Sequence, residues 1–320
     1  MVAFWVALAA GLALTGLIVP VLRRAQLLDV PNERSSHSAP VPRGGGLAVM
    51  AAVALATLVA ALAGAEVLWV PLVVSIGLAA VGLVDDRRSL PGPVRLVLQL
   101  VAGAVVAAWA WAAASPSVAV ALFALVVVVV VAGYVNAFNF MDGINGISAL
   151  TAAVAGAWWC WVGAEHDVEG LTVIGASLAG AMLGFLPWNA PRARIFLGDV
   201  GSYGIGFLVV VGAAWAWANG VPAVLCVAPL VVYLADTGWV LVKRAVGGRP
   251  LMQAHREHVY QQLVDQGWSH TASALLCAGT SVLVCLVAAT APLAVSVPVM
   301  AVVCLAYLAS PRALRSGVVA

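Results

Sequence analysis

Apolar residues run along this chain in stretches of about twenty, each the length of a helix that crosses a bilayer. The stretches lie near residues 2–22, 44–64, 67–84, 94–114, 117–135, 147–164, 171–187, 200–218, 221–242, 271–290 and 293–310. The expected fold is all-α: a polytopic membrane bundle of about eleven transmembrane helices, a single domain over residues 1–320. The first stretch, AFWVALAAGLALTGLIVPVL, shows no small-residue cleavage site. It reads as a retained helix, not a signal peptide. No internal repeat or low-complexity linker breaks the series.

The connections alternate in kind. One set is short: around Glu66, then 115–117, 164–170, 219–222 and 290–292. The other is longer and polar: 23–43, 85–93, 136–146, 188–199, 243–270 and the C-terminal tail. All 15 lysines and arginines fall on or beside the second set, whereas the first holds Glu66, Glu165, Asp167 and Glu169. Cations concentrate in cytoplasmic loops. The second set is therefore expected inside, with the N-terminus outside and the C-terminus cytoplasmic. Composition agrees: 64% of residues are hydrophobic, only 9% are charged, and the mean hydropathy is +1.07. A soluble domain of this size needs more charge to face water. The five cysteines sit in apolar runs without a CxxC spacing. They read as small hydrophobes, not disulfides or metal ligands.

The candidate chemistry lies in the polar set. Residues 28–46, LDVPNERSSHSAPVPRGGG, bring Arg34, His37 and Arg43 before three glycines. Glycine-rich backbone at a helix start can present N–H groups to a phosphate, or it can serve close helix packing. GLVDDRRSLPG ends an apolar run with Asp85 and Asp86. Adjacent carboxylates repel, so a cation between them, or Arg87 and Arg88 beside them, makes sense of the pair. NAFNFMDGIN spaces Asn136, Asn139, Asp142 and Asn145 three apart, on one face if the segment is helical. Such hard oxygen groups suit Mg²⁺, hydroxyls and phosphates. In RARIFLGDVGSYGIGF, Asp199 stands at a helix start, where capping and metal binding compete as explanations. In GGRPLMQAHREHVYQQL, His255, Arg256 and His258 read as an anion and uracil contact or as part of an interfacial amphipathic helix. Asp236 lies inside an apolar run, where carboxylates are costly and usually functional.

These motifs, in this order, resemble those of the polyprenyl-phosphate N-acetylhexosamine-1-phosphate transferases, glycosyltransferase family 4. That superfamily includes the phospho-N-acetylmuramoyl-pentapeptide transferase. The resemblance runs from VPNERSSHSAPVPRGGGLA through GLVDDRRSLPG, NAFNFMDGINGI and FLGDVGSYGIGF to LADTGW, GGRP and HREHVYQQL, about three-quarters of the chain. It implies transfer of a sugar-1-phosphate from a UDP-sugar to a polyprenyl phosphate such as undecaprenyl phosphate, with release of UMP. It implies a bacterial inner (cytoplasmic) membrane enzyme with a cytoplasmic site, Mg²⁺ as cofactor with Mn²⁺ as a substitute, the lipid bilayer as surroundings and no nucleic acid. A homodimer is left open.

Residue by residue, Asp85 and Asp86 match the family's aspartate pair, Asn139 and Asp142 its NxxDG loop, and Asp199 its Mg²⁺-holding aspartate. Asp85, Asp86 and Asp142 are expected to be catalytic, and Asp199 and Asp86 to bind metal. Arg34, His37, Arg43, Asn136, Asn139, Asn145, His255, Arg256 and His258 are expected at the substrates. Asn145 stands where the family often has aspartate. HVYQ replaces the HxHH loop: His258 matches the first histidine, and Tyr260 and Gln261 stand for the other two. That pattern resembles the O-antigen-initiating branch specific for N-acetylfucosamine or N-acetylquinovosamine; a GlcNAc-1-phosphate transferase is the alternative. Asp85 is a candidate base toward the lipid phosphate. A phosphate monoester is already mostly dianionic at pH 7, so positioning alone can suffice. A membrane transporter is the reading from another class, but it calls for charge at mid-membrane.

Overall fold

The computed structural model describes residues 1–31, 39–113, 118–250 and 255–316. The chain crosses back and forth through α1 (Val2–Arg24), α2 (Gly46–Leu62), α3 (Trp69–Arg88), α4 (Gly92–Ala113), α5 (Val118–Met141), α6 (Ile147–Glu165) and α7 (Glu169–Asn189). It continues through α8 (Gly198–Ala218), α9 (Ala223–Val227), α10 (Val231–Val246), the short α11 (Val259–Asp265), α12 (His270–Thr290) and α13 (Leu293–Ser316). Two-residue strands β1 (Leu28–Asp29) and β2 (Val41–Pro42) pair antiparallel between α1 and α2. They are the one departure from an all-α expectation among the described residues.

Among the described residues ten helices, counting α9 to α10 as one span, are long and apolar enough to cross a membrane. The run expected near 44–64 yields α2, which has only 17 residues. It starts late because Gly44 and Gly45 are held in a loop, both donating backbone N–H groups to the Phe196 carbonyl. The run expected near 221–242 is not one helix. A 3-10 turn at Ala228–Leu230 separates α9 from α10. Pro229 lies within it, and a proline has no N–H for the helical ladder.

The axis of the bundle is α8. In its apolar window 83% of residues are buried inside the protein, against 28% for α1 and 22% for α13, which face outward. Lipid is as apolar as leucine, so helices in a membrane associate through close packing of small residues. The start of α8, GDVGSYGIGF, supplies them. A Cβ placed on Gly46 of α2 would lie 2.2 Å from the Gly201 Cα, and one on Gly82 of α3 would lie 2.2 Å from the Asp199 carbonyl oxygen. The outward-facing positions are apolar, among them Leu17, Val73, Val129 and Leu305, as a lipid-facing surface requires. All five cysteines are free.

The alternation of loops has a spatial counterpart. Backbone N–H of Glu66 donates to Glu169 at one end of the bundle (3.1 Å). At the other end the segments around Arg43, Asp86, Asp142, Asp199 and His258 meet.

Candidate active site

The first N–H groups of a helix have no partner within it. At the start of α8 these donors are satisfied from another helix. Asp86, at the end of α3, accepts from the N–H of Asp199 (3.0 Å) and of Val200 (3.1 Å). Gly198, just before them, has a left-handed φ of +76°, and a Cβ there would lie 2.8 Å from Asp86 Oδ2. Thus Asp86 is the cap, and Asp199 points elsewhere. Asp199 Oδ1 accepts from Asn139 Nδ2 (2.8 Å), and its Oδ2 pairs with Arg43 (2.9 Å). Arg43 also pairs with Asp86 (2.5 Å), so one guanidinium bridges both carboxylates. Asn139 is fixed in turn by Ser202, whose Oγ accepts from the same amide (2.9 Å).

Asp142 follows the last residue of α5. Its N–H donates to the Asn139 carbonyl (3.3 Å). Loss of hydration pushes its carboxyl up to about 7, and the charges of Asp199 and Asp86 act in the same direction, against Arg43. Two carboxylates thus share one guanidinium, with the Asp142 carboxyl near enough to feel all three charges. Among the described residues no three His, Cys, Asp or Glu side chains converge into a closed metal cage. Mg²⁺ does not need one: it typically keeps waters and takes one or two carboxylates plus substrate phosphates. The all-oxygen donor set of Asp199, Asn139 and Asp142 fits that ion.

Other expected site residues are placed differently. The Asn136 amide donates to Gln99 of α4, away from Asp199. Asn145 donates to the Pro191 carbonyl (3.0 Å) and, through its N–H, to His270 (3.4 Å). The helix ends at Met141. The spacing of three therefore does not bring all four groups to one face. Of the two readings of the glycine run, packing fits: Gly44, Gly45 and Gly46 spend their N–H groups on the carbonyls of Phe196 and Leu197. Arg34 and His37 lie outside the described residues. Asp85 is buried beneath the site.

The His255–His258 segment is tied from below. Asp236, fully buried, accepts from His258 Nδ1 (2.9 Å), from the Val259 N–H (3.1 Å) and from the Tyr307 hydroxyl of α13 (3.1 Å). His258 caps α11 and stacks on Tyr260. Tyr260 is buried and donates to the Phe140 carbonyl (3.0 Å), while the Gln261 side chain accepts from the His258 N–H (3.2 Å). Of the two replacements in HVYQ, Tyr260 therefore serves the protein interior and Gln261 the start of α11. Arg256 pairs with Asp265 (2.7 Å). Burial, with the nearby His258 and Arg244, lowers the His255 imidazole from its ordinary value, and its Nδ1 has no partner among the described residues.

Sequence reasoning missed Glu257, which gathers Lys243 (3.1 Å), Arg244 (2.6 Å) and Arg249 (2.9 Å). Burial works against its charge, but these three cations override it and hold the carboxyl down at about 2. A lowered carboxylate pKa stabilises the fold above the unfolded value near 4.5, and the effect fades as pH falls toward 2. We expect Glu257→Gln to lower the unfolding temperature at pH 7 and to converge with the wild type in acid. A difference that persists undiminished at pH 2 would exclude this pairing as its source.

A helical membrane bundle that gathers aspartates, an arginine and amides at one end of its central helix defines a class: a membrane enzyme of phosphate chemistry. A model of glycosyl transferase family 4 matches residues 68–216. Over 302 residues the chain is 31% identical to the decaprenyl-phosphate N-acetylglucosaminephosphotransferase of Mycobacterium leprae, covering 82% of this chain and 76% of that protein. It is 23% identical to a probable undecaprenyl-phosphate N-acetylglucosaminyl 1-phosphate transferase of Bacillus subtilis, covering 86% of this chain and 80% of that one. Against the phospho-N-acetylmuramoyl-pentapeptide-transferase of Ruegeria pomeroyi it is 28% identical, with 83% and 85% covered. The chain belongs to glycosyl transferase family 4, the polyprenyl-phosphate hexosamine-1-phosphate transferases.

Proposed function

We propose that the protein transfers N-acetylhexosamine-1-phosphate from a UDP-sugar to a polyprenyl phosphate at the cytoplasmic face of a bacterial inner membrane, starting a lipid-linked glycan. The observation that carries this reading is the bridge Asp86–Arg43–Asp199 at the head of the central helix. It is an anionic oxygen cluster with one guanidinium, suited to a divalent cation and a diphosphate together. The cytoplasmic placement rests on the confinement of all 15 lysines and arginines to one set of loops.

In the reaction a phosphate oxygen of the lipid attacks the sugar-linked phosphorus of the donor. A new P–O–P bond forms, and the bond to the uridine-bearing phosphate breaks, so UMP leaves with the bridging oxygen. One phosphoanhydride replaces another. The obstacle is bringing anions together. Asp199, with Asn139 and Asp142 beside it, would hold Mg²⁺, which when bound neutralises the diphosphate and the departing UMP. Asn139 fixes the rotamer of Asp199, and Asp86 fixes its backbone. Arg43, partly exposed, offers a planar fork of donors to the phosphates. His255, whose Nδ1 has no partner among the described residues, offers a ring nitrogen to a sugar or base. An apolar cavity of about 240 Å³ between α5, α8 and α9, lined by Val127, Val131, Val210, Ala213 and Leu230, offers room for part of the lipid tail. Val130 and Trp217 at its rim are exposed toward lipid.

For the donor we favour UDP-N-acetylglucosamine, because the mycobacterial and Bacillus relatives carry that sugar in their names. UDP-N-acetylfucosamine or UDP-N-acetylquinovosamine is the second reading, and the HVYQ segment favours it. The structural roles of Tyr260 in the interior and of Gln261 at the start of α11 weaken that argument. Purified protein with polyprenyl phosphate, Mg²⁺ and each UDP-sugar in turn should release UMP with one donor and stop on chelation. Release that persists in EDTA would refute the metal. No binding of lipid phosphate or of any UDP-sugar would refute the reaction.

A further inference from the structure

Asp85 stands beside Asp86, yet it faces away from the cluster. Its side chain is 3% exposed. Oδ1 accepts from the Leu90 N–H (2.7 Å), and Oδ2 accepts from the Tyr203 hydroxyl (2.6 Å) and from Arg95 (3.2 Å). The donors come from the loop after α3, from α8 and from α4. Tyr203, itself 1% exposed, lies one helical turn beyond Asp199 on α8. Two successive carboxylates of α3 therefore grip the head of α8 at two points, Asp86 through backbone N–H groups and Asp85 through a side chain.

A general base must reach the proton it removes. Both oxygens of Asp85 already accept from protein donors, and almost none of the side chain is accessible. We propose that Asp85 is a positioning residue: together with Tyr203 and Arg95 it fixes the first turns of α8, and so the direction in which Asp199 meets the substrates. The catalytic part of this inference rests on the transfer reaction proposed above; the structural part does not.

Tyr203→Phe removes one oxygen and keeps the ring in place, so it deletes the bond with little change of shape. We expect it to lower UMP turnover about 10- to 100-fold, the scale of a small misplacement, with KM for the donor changing less than kcat. Asp85→Asn should lose a similar factor while keeping the wild-type shape of its pH profile, and the double variant should be no worse than the poorer single one. Backbone amides of residues 198–204 should exchange hydrogen faster in both variants, a readout that needs no turnover. Were Asp85 the base, Tyr203→Phe would release its carboxylate and leave turnover at or above wild type, and Asp85→Asn would lose one limb of the pH profile. Either result overturns the positioning role, as does unchanged amide exchange in Tyr203→Phe. Wild-type protein that releases no UMP would instead overturn the reaction, and amide exchange would still decide the role of Asp85.

Discussion

Replacing Asp199 with asparagine should reduce UMP release about 100- to 1000-fold, the range seen when a group that stabilises transition-state charge is removed. The unfolding temperature should move by only a few degrees. The two halves of this expectation follow from one division of labour. Asp199 does not cap its own helix, because Asp86 accepts its N–H and that of Val200. The substitution therefore leaves the cap intact. An asparagine keeps one oxygen for the Asn139 amide but loses the charge that pairs with Arg43. Arg43 is then left to Asp86, and the pull on a divalent cation weakens. Titration should show that more Mg²⁺ is needed for half-maximal rate. Asp86→Asn should behave otherwise. It removes charge and also half of a cap worth about 1 kcal/mol, so stability and activity should fall together. If Asp199→Asn unfolds as readily as Asp86→Asn, the division is wrong.

Gly82→Ala should do comparable damage from outside the chemistry. A Cβ at residue 82 would lie 2.2 Å from the Asp199 carbonyl oxygen, 2.4 Å from its carbon and 2.6 Å from the Val200 nitrogen. All three atoms are backbone, so no side chain can swing aside. Alanine favours helix over glycine by up to about 1 kcal/mol, but overpacking of this kind costs about 1–3 kcal/mol. The net sign is destabilising. The only relief is to part α3 from α8, and that stretches the two hydrogen bonds from Asp86. We expect a lower unfolding temperature in detergent and a turnover reduced about 100-fold. A variant with wild-type melting and wild-type turnover would show that the helices are not packed this closely.

Much of this architecture is legible in the sequence, for a physical reason. Bilayer thickness sets helix length, so apolar runs of about twenty residues mark the helices directly. The same pattern hides what happens inside a run. The break around Pro229 and the shortening of α2 depend on which backbone groups find partners. The gathering of polar motifs at one end of the bundle was also readable, because cations and aspartates recur on alternate loops. The pairing of particular groups was not. Asp86 and the N–H it caps are 113 residues apart, and Asp85 and Tyr203 are 118 apart. No local pattern encodes such partners. A spacing of three in NAFNFMDGIN suggests a shared face, yet the helix stops at Met141, and Asn136 and Asn145 turn to other partners. One clue does lie in the sequence: Tyr203 stands a single turn beyond Asp199, on the same side of a helix too buried to hide a hydroxyl without a partner.

The hydroxyl that reaches Asp236 from α13 has a consequence in time. Tyr307 follows Asp236 by 71 residues. At about 5–20 residues per second, roughly 4–14 s of translation separate them. A nascent chain can insert the axis helix and its aspartates early, yet the carboxylate beneath His258 waits for the Tyr307 hydroxyl until α13 has been made. A ribosome-bound intermediate that has made α10 and α11 but not α13 therefore holds Asp236 by His258 and the Val259 N–H alone, without the Tyr307 hydroxyl.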